Sequence, residues 1–492
     1  MDMVLIRACV PGSLVLIVRF KLLDMKSTYK NIGVYQLLTA LLMAACFFSS
    51  CKKFVDIPAP DGLQDWATTF SNDGSATAAV LDIYPKYDND VLPTLNYMGG
   101  LSADELFSSS TSYAEFLNNN IAITSTTNAS SIWGPAYIAI RECNLAVEGI
   151  KLSTGMSATI KDQLSGEARF MRAVLFFNLM NLYGRIPLPL SAVETENSAL
   201  PRAETEAVWS QIFTDLQTAK GLLKPEYPSA ERARVNKYAV SALLARAYLY
   251  HKDWAKAETE ATEVIGSNIY SLENPAGTFK KTSKETILQC YAQTGRSPLT
   301  TYFVPGVPTT TPRYYLRTGF DLAFEKNGSG TDDLRKTNWT GKNNAGIYYV
   351  NKYKVLTGSG DEYTVLFRLA ELYLIRAEAR TQQNKLTGTS GAEADLNALR
   401  NRAGLDPKSG LNKTVMLAAI EQERKVELFG EYPHRWFDLK RTSGFTDPSK
   451  TRADEVLSLV KGSFWQSTDV LFPIPANQIR INPALDQNPG YN

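Results

Sequence analysis

Apolar residues recur at helical spacing along much of the chain. In "LSGEARFMRAVLFFNLMNLYG", residues 164–184, the apolar positions are Leu164, Ala168, Met171, Leu175, Leu179 and Leu182. This spacing predicts a helix with one buried face, and Gly184 supplies its stop.

A helical hairpin is predicted in "NKYAVSALLARAYLYHKDWAKAETEATEVI", residues 236–265. Its first half repeats Ala239, Leu243 and Ala247, and Asp253 suits the N-cap of a second helix. Two helices with alanine at their crossing, within about 34 residues, are typical of a tetratricopeptide-type hairpin. A similar pair is predicted in "VLFRLAELYLIRAEARTQQNK" followed by "AEADLNALRNRAG". The fold class is therefore all-α, a scaffold of degenerate tetratricopeptide-like helix pairs.

Long stretches of the chain show no periodicity. They are residues 55–76, 91–131, 268–360 and 441–472, and they are rich in Gly, Ser, Thr, Asn and aromatic residues. Loops of this length usually either bind something or are disordered, and the aromatic content argues against disorder. "GIYYVNKYKV", residues 346–355, indicates a short strand, so minor strand content is expected. No boundary divides the chain after residue 50, which favours one large domain.

The first fifty residues have the order of a signal peptide. Lys26 and Lys30 precede an apolar segment over about residues 32–48, and small residues then lead to Cys51. A cysteine directly after such a cleavage site resembles a bacterial lipobox, in which the thiol is diacylated. We therefore predict a signal peptide over residues 1–50, a mature domain over 51–492, and lipidation at Cys51. Two acyl chains and an acylated amine hold a protein stably on a membrane.

Several alternatives at the N-terminus stay open. Cys46 also follows small residues and competes with Cys51 as the lipidated position. The alternative to a signal peptide is that residues 32–48 form a transmembrane helix, although this segment is short for spanning a bilayer. Residues 1–24 fit neither interpretation, and Met25 is the better initiator. A disulfide between Cys143 and Cys290 cannot be decided from the sequence; Cys143 is expected to be a small buried residue.

Composition excludes several function classes. Lys and Arg number 52 against 50 Asp and Glu, so nothing favours a nucleic acid partner. The chain has only two histidines, His251 and His434, which argues against a histidine metal site or catalytic triad. No phosphate-binding, zinc or nucleophile-elbow motif is present. We predict no cofactor, while calcium held by scattered oxygen ligands stays open.

Aromatic residues on the long loops are the candidates for ligand binding. The chain has 24 Tyr, 21 Phe and 7 Trp, and flat aromatic faces together with planar polar groups suit sugar rings. The strongest stretch is "TTYFVPGVPTTTPRYYLRTGF", residues 300–320. The predicted ligand-binding residues are Trp66, Asp104, Tyr302, Arg313, Tyr314, Tyr315 and Trp339. For each aromatic the alternative is a place in the core, for Asp104 a structural turn, and for Arg313 a solvated charge.

A dense charged block lies in "EQERKVELFGEYPHRWFDLKR", residues 421–441. Its many acids and bases suggest catalysis. Alternating signs of this kind usually form structural ion pairs or a solvated face, however, and we favour that interpretation.

The order of these features resembles the SusD/RagB family of outer-membrane lipoproteins. The matching blocks are "CKKFVDIPAP", "SADE", "IWGPAYIAIRECN", "EARFMRAVLFFNLMNLYGRIPL", the charged block above and the tail "LFPIPANQIRINPALDQNPGY". The resemblance spans nearly the whole mature chain.

The resemblance implies a non-enzymatic, surface-exposed protein, lipid-anchored in the outer membrane, that binds glycans or other nutrients. It also implies a partner, a TonB-dependent transporter of the SusC type. The rival hypotheses are a surface glycosidase using loop carboxylates and a helical-repeat scaffold that binds only protein.

Overall fold

Helices dominate the computed structural model of this chain, which describes residues 66–491; helix makes up 54% and strand 7%. The longer helices are α1 (Asp73–Leu81), α2 (Leu92–Ser102), α3 (Gly134–Leu152), α4 (Ala158–Tyr183), α5 (Thr205–Leu222), α6 (Lys237–Tyr250), α7 (Trp254–Gly266), α8 (Leu369–Gln382), α9 (Ala392–Arg402), α10 (Lys413–Leu428), α11 (His434–Arg441) and α12 (Arg452–Lys461). Shorter α-helices span Trp66–Thr69, Ile83–Pro85, Ala114–Leu117, Thr126–Asn128, Glu194–Asn197, Thr300–Phe303, Leu334–Trp339 and Ala476–Ile481, and π-helical turns span Lys86–Val91 and Ala129–Trp133. The mainly helical fold class is confirmed.

The predicted stripe on α4 is buried along its whole length. Leu164, Ala168, Met171, Leu175, Leu179 and Leu182 are all core residues. The helix ends at Gly184, whose φ of 70° lies in the left-handed region that glycine tolerates best. Helix α4 packs between α3 and α5, so it forms the centre of the first half of the molecule.

Helices α6 and α7 form the predicted hairpin. The Asp253 carboxylate accepts a hydrogen bond from the Lys256 amide and caps the start of α7, as expected. Ala239, Ala257 and Ala261 are fully buried at the packed faces. Along the chain, α5 packs on α6, α6 on α7, α7 on α8, and α8 on α9 and α10. This succession of neighbours is consistent with a tetratricopeptide-like scaffold.

The strands are short and pair in twos, all antiparallel. They are β1 (Leu106–Phe107), β2 (Ile186–Pro187), β3 (Arg202–Ala203), β4 (Thr286–Cys290), β5 (Tyr315–Leu316), β6 (Thr340–Lys342), β7 (Tyr348–Val350) and β8 (Thr364–Arg368). The pairs are β1–β5, β2–β3, β4–β8 and β6–β7. The strand predicted near Tyr348 is confirmed as β7.

Two of the longer helices, α2 and α12, lie in segments predicted to be loops, as do several of the shorter ones. Every residue of α2 is buried, so its sequence carries no polar face and no helical period. Gly99 lets α2 approach Pro433 closely, because a Cβ at Gly99 would lie 2.3 Å from the Pro433 Cβ. A third difference concerns the stretch that begins "VLFRLAELY", which was predicted to be helical from its start. Its residue Leu366 lies in strand β8, and the helix α8 begins only at Leu369.

The charged block of residues 421–441 forms buried ion pairs. Arg368, at the end of β8, bonds to Glu431 at 2.7 Å and also contacts Glu285 and Glu427. Arg424 reaches Asp438 at 2.6 Å. Buried charges of opposite sign that satisfy each other in this way have a structural role, as the charge pattern indicated.

The signal peptide and lipidation predictions, Cys46 and Cys51 included, lie outside the described residues. The described residues belong to one compact unit, Gln64–Asn492. None of the helices in that part of the chain combines the length and apolarity needed to cross a bilayer. Cys143 is buried as expected, and both Cys143 and Cys290 are free thiols.

Candidate functional site

The stretch 300–320 folds back onto helix α2. Its short helix Thr300–Phe303 is followed by a loop that returns the chain, so that the Tyr314 amide donates to the Tyr302 carbonyl at 3.1 Å. Strand β5 then pairs with β1, with Tyr315 opposite Phe107. These backbone bonds bring residues 302 and 313–315 together on one surface.

Four tyrosines, Tyr97, Tyr113, Tyr302 and Tyr314, form a tyrosine cluster at this surface. The rings of Tyr97 and Tyr314 stack at 4.4 Å with an interplanar angle of 10°. Tyr302 lies 5.3 Å from Tyr97, and Tyr113 meets Tyr314 edge-on at 5.1 Å. Such stacked and edge-to-face pairs hold the rings in fixed orientations.

Arg313 lies over the tyrosine cluster. Its guanidinium carbon is 5.4 Å from the Tyr113 ring centre, 5.7 Å from that of Tyr302 and 5.8 Å from that of Tyr314. The guanidinium also donates a hydrogen bond to the Tyr113 hydroxyl, and the Arg313 carbonyl accepts one from Ser108 at 3.0 Å. The side chain is exposed yet positioned, because cation–π contacts and hydrogen bonds restrain it.

Exposure divides the cluster into a floor and a surface. Tyr314 is 0% exposed and Tyr97 is buried, so these two rings form the floor. Tyr113 and Tyr302 are half-buried and Arg313 is exposed. The accessible surface therefore combines aromatic carbon with guanidinium and hydroxyl donors, a combination that suits the apolar faces and hydroxyls of sugar rings.

A cavity of about 330 Å³ lies beside the cluster and is lined by Thr301, the residue that precedes Tyr302. Tyr291, at 62% exposure, also lines it. At its base Asp88 is buried on a π-helical turn, and burial raises the pKa of its carboxyl to about 7. Cys290 and Arg296 also line the cavity.

The remaining predicted site residues are Tyr315, Trp339, Trp66 and Asp104. Tyr315 is half-buried against Phe107, with 5.5 Å between ring centres. Trp339 is 1% exposed, and its indole N–H donates to the Pro275 carbonyl at 2.7 Å. Trp66 begins the first described helix, and its side chain lies outside the description.

Asp104 is buried between two cations, Arg435 at 2.7 Å and Lys425 at 2.8 Å. These charges outweigh desolvation and hold the pKa of its carboxyl well below the usual range. Asp104 and Trp339 therefore match the structural alternatives stated for them, and we do not keep them in the candidate site. The structure brings together only Tyr302, Arg313 and Tyr314 from the predicted set, with Tyr315 adjacent.

Sequence reasoning missed Tyr97, Asp88 and Tyr291. Tyr97 lies in helix α2, which shows no period, and Asp88 lies on an irregular helical turn. Tyr291 directly follows strand β4. Its place in a long aperiodic segment was the one feature of the sequence that could have indicated it.

No metal site is evident at this surface. Across residues 66–491, no group of three or more His, Cys, Asp or Glu side chains is placed to hold a metal ion.

Fold and site together define a class of protein, a helix-pair scaffold that carries an aromatic surface built from loops. A family profile described as "SusD family" matches residues 248–491, and one described as "Starch-binding associating with outer membrane" matches residues 64–249. The chain belongs to the SusD family.

Individual relatives agree with this assignment. A SusD-like protein of Formosa agariphila is 24% identical, covering 94% of this chain and 99% of the relative. The starch-binding protein SusD of Bacteroides thetaiotaomicron is also 24% identical, covering 66% of this chain and 72% of the relative. Among solved structures, a laminarin-binding SusD-like protein superposes with a TM-score of 0.71 at 24% identity, covering 85% of this chain and 99% of that one. At this identity the structural likeness shows the shared fold.

Proposed function

We propose that this chain is a lipoprotein of the outer-membrane surface that binds oligosaccharides at the Tyr302–Arg313 surface and passes them to a TonB-dependent transporter. The observation that carries the proposal is the exposed Arg313 guanidinium held against the tyrosine cluster, with Tyr302 and Tyr113 accessible beside it. The names of relatives that bind starch and laminarin support a glycan as the ligand class.

Titration calorimetry with oligosaccharides tests the binding site. Against a panel that includes malto- and laminari-oligosaccharides, we expect saturable binding to at least one series. Tyr302→Ala removes an accessible ring, so we expect affinity about tenfold weaker. Tyr373→Ala, at a half-buried tyrosine on α8, is the matched control and leaves affinity unchanged. Equal losses in both variants, or no glycan binding in the wild type, would contradict the proposal.

We further propose that the protein binds without turnover. Glycoside hydrolysis generally uses two carboxylates, and Asp88 is the one carboxylate among the described residues that line the cavity beside the cluster. Prolonged incubation with a bound oligosaccharide followed by chromatography should return it intact. Product release that Asp88→Asn abolishes would support the glycosidase alternative.

Cys51→Ala tests the anchor. Without the thiol no acyl chain can be attached, so we expect the variant to leave the membrane fraction while it keeps its affinity for the glycan. Membrane partitioning and the mass of the mature N-terminus are the measurements. Unchanged partitioning would point to Cys46 or to another mode of attachment. Co-purification of a transporter barrel with the wild type from native membranes tests the delivery step.

A further inference from the structure

A second cavity, of about 400 Å³, lies in the helical scaffold and shares no lining residue with the candidate glycan site. It is enclosed by the turn between α6 and α7, the end of α8, helices α10 and α11, and the loop that follows α11. Its volume falls in the range of small-molecule sites.

The carboxylates that line this cavity are all paired with arginines. Glu378 accepts two hydrogen bonds from Arg441, at 2.6 and 2.7 Å. Asp438 is paired with Arg424 at 2.6 Å and with Arg441. Glu421 accepts from Arg435 at 2.9 Å and from a further arginine, Arg452. No uncompensated negative charge therefore faces the space.

Among the charged side chains that line the cavity, only the Lys252 ammonium has no ion pair within the described residues. Arg424 is 4% exposed; its Nε and Nη2 donate to Asp438, whereas its buried Nη1 has no hydrogen-bond partner among the described residues. Lys252 lies at the turn between α6 and α7, and within the described chain its ammonium makes no ion pair or hydrogen bond. Because the Nη1 atom has less than 1 Å² of accessible surface, the Lys252 ammonium is the cation that an anionic ligand in the cavity would pair with.

The backbone at Lys252 has a φ of 66°, in the left-handed region that lysine seldom adopts. Its amide donates to the Leu249 carbonyl at 3.2 Å, which fixes the turn. Unfavourable backbone conformations of this kind are often retained at ligand sites.

The rest of the lining is mainly apolar, with a few hydroxyls. The apolar side chains are Trp254, Leu417, Ile420, Phe445 and Pro448, and hydroxyls come from Thr414, Thr442 and Ser443. An inorganic anion would leave these apolar walls without contacts. A ligand that pairs one carboxylate with a hydrocarbon body would use both parts of the cavity.

We propose that this cavity is a binding site for a small organic carboxylate, held by Lys252 and packed against Trp254. The proposal is independent of glycan binding, since the two surfaces have no residue in common.

Titration calorimetry on the purified full-length protein tests this, with benzoate as the probe and benzamide as its neutral counterpart. We expect saturable binding of benzoate and none of benzamide. Lys252→Gln removes an exposed, unpartnered ammonium and should weaken benzoate binding about tenfold. Ser443→Trp, at an exposed position of the lining, should fill the space and abolish binding.

Lys256→Gln is the matched control, because Lys256 is an exposed lysine of the same hairpin whose ammonium pairs with Asp253 at 2.7 Å. It should leave benzoate affinity unchanged. Melting curves of all variants establish that they are folded. Absence of benzoate binding, equal binding of benzamide, or an equal loss in Lys256→Gln would each overturn the proposal, whatever the outcome with oligosaccharides.

Discussion

Glu105 is buried, and within the described chain its carboxylate accepts one hydrogen bond, from the Gly430 amide at 3.0 Å. Burial raises the pKa of its carboxyl to about 7 from an ordinary value near 4.5, so the folded state favours the protonated form. Its contribution to stability is therefore complete below pH 4.5 and is lost as the pH rises towards 7. Above pH 7 the cost is on the order of 3 kcal/mol.

Glu105→Gln should remove this dependence. A glutamine keeps an oxygen for the Gly430 amide and never ionises, so the free energy of unfolding should exceed that of the wild type at pH 8 and equal it near pH 4. Urea unfolding across this range is the measurement. If the difference between the two proteins does not change with pH, Glu105 is ionised or exposed in the folded state.

At the scale of single residues, the sequence can predict which side chains lie together where the partners are close in the chain. Tyr302, Arg313 and Tyr314 lie within one stretch of 21 residues, so their meeting on one surface could be predicted. Asp104 could not be assigned correctly, because its partner Arg435 lies 331 positions away. Nothing local in "SADE" shows that this carboxylate is neutralised.

Helix α2 depends on a close approach between Gly99 and Pro433. Gly99→Ala would place a Cβ 2.3 Å from the proline Cβ, so helix or loop must shift. We expect a loss of about 1–3 kcal/mol in the free energy of unfolding, measured by urea denaturation.

Gly221→Ala is the control for that prediction. Gly221 lies in α5, and apart from the adjacent residues and backbone of α5 itself, no heavy atom of the described chain lies within 4 Å of the position that an alanine Cβ would take there. The same substitution should therefore be neutral or stabilise by up to about 1 kcal/mol. Similar effects of the two substitutions would show that helix propensity, and not packing, decides the outcome at Gly99.

Secondary-structure elements could be predicted where one face is buried and the other is exposed to solvent. Helix α7 has this pattern, with Ala257, Ala261 and Val264 inside, and its Asp253 cap was predicted correctly. Helix α2 was missed because it is buried on every side. Strand β8 was joined to the helix that follows because an entirely buried strand and a buried helix differ little in hydrophobic pattern.

At the scale of the whole molecule, Arg368 connects parts of the chain that are distant in sequence. It joins the end of β8 to Glu285 beside β4, to Glu427 in α10, and to Glu431. Arg368→Met leaves three buried carboxylates with one guanidinium fewer, so we expect the free energy of unfolding to fall by about 3–5 kcal/mol.

Lys450→Met is the comparison for that substitution, since Lys450 and Asp447 form an exposed pair at 3.7 Å. It should leave the urea midpoint unchanged, because exposed ion pairs contribute little. The Arg368 charge helps to lower the pKa of Glu427 and of Glu431, so the loss in Arg368→Met should shrink as the pH falls and these two carboxylates take up protons. A loss of stability that does not vary with pH would assign the effect to packing alone.

The two free thiols within residues 66–491 are internal reporters of local opening. Cys143 lies in α3 and Cys290 in β4, both are buried, and burial raises the pKa of each thiol above its ordinary value. A maleimide reagent reaches such sulfurs only after the surrounding segment has separated from its neighbours. The labelling rate at Cys290 therefore measures how fast β4 separates from β8 beside the candidate glycan site. The labelling rate at Cys143 measures how fast helix α3 separates from its neighbours in the helical scaffold.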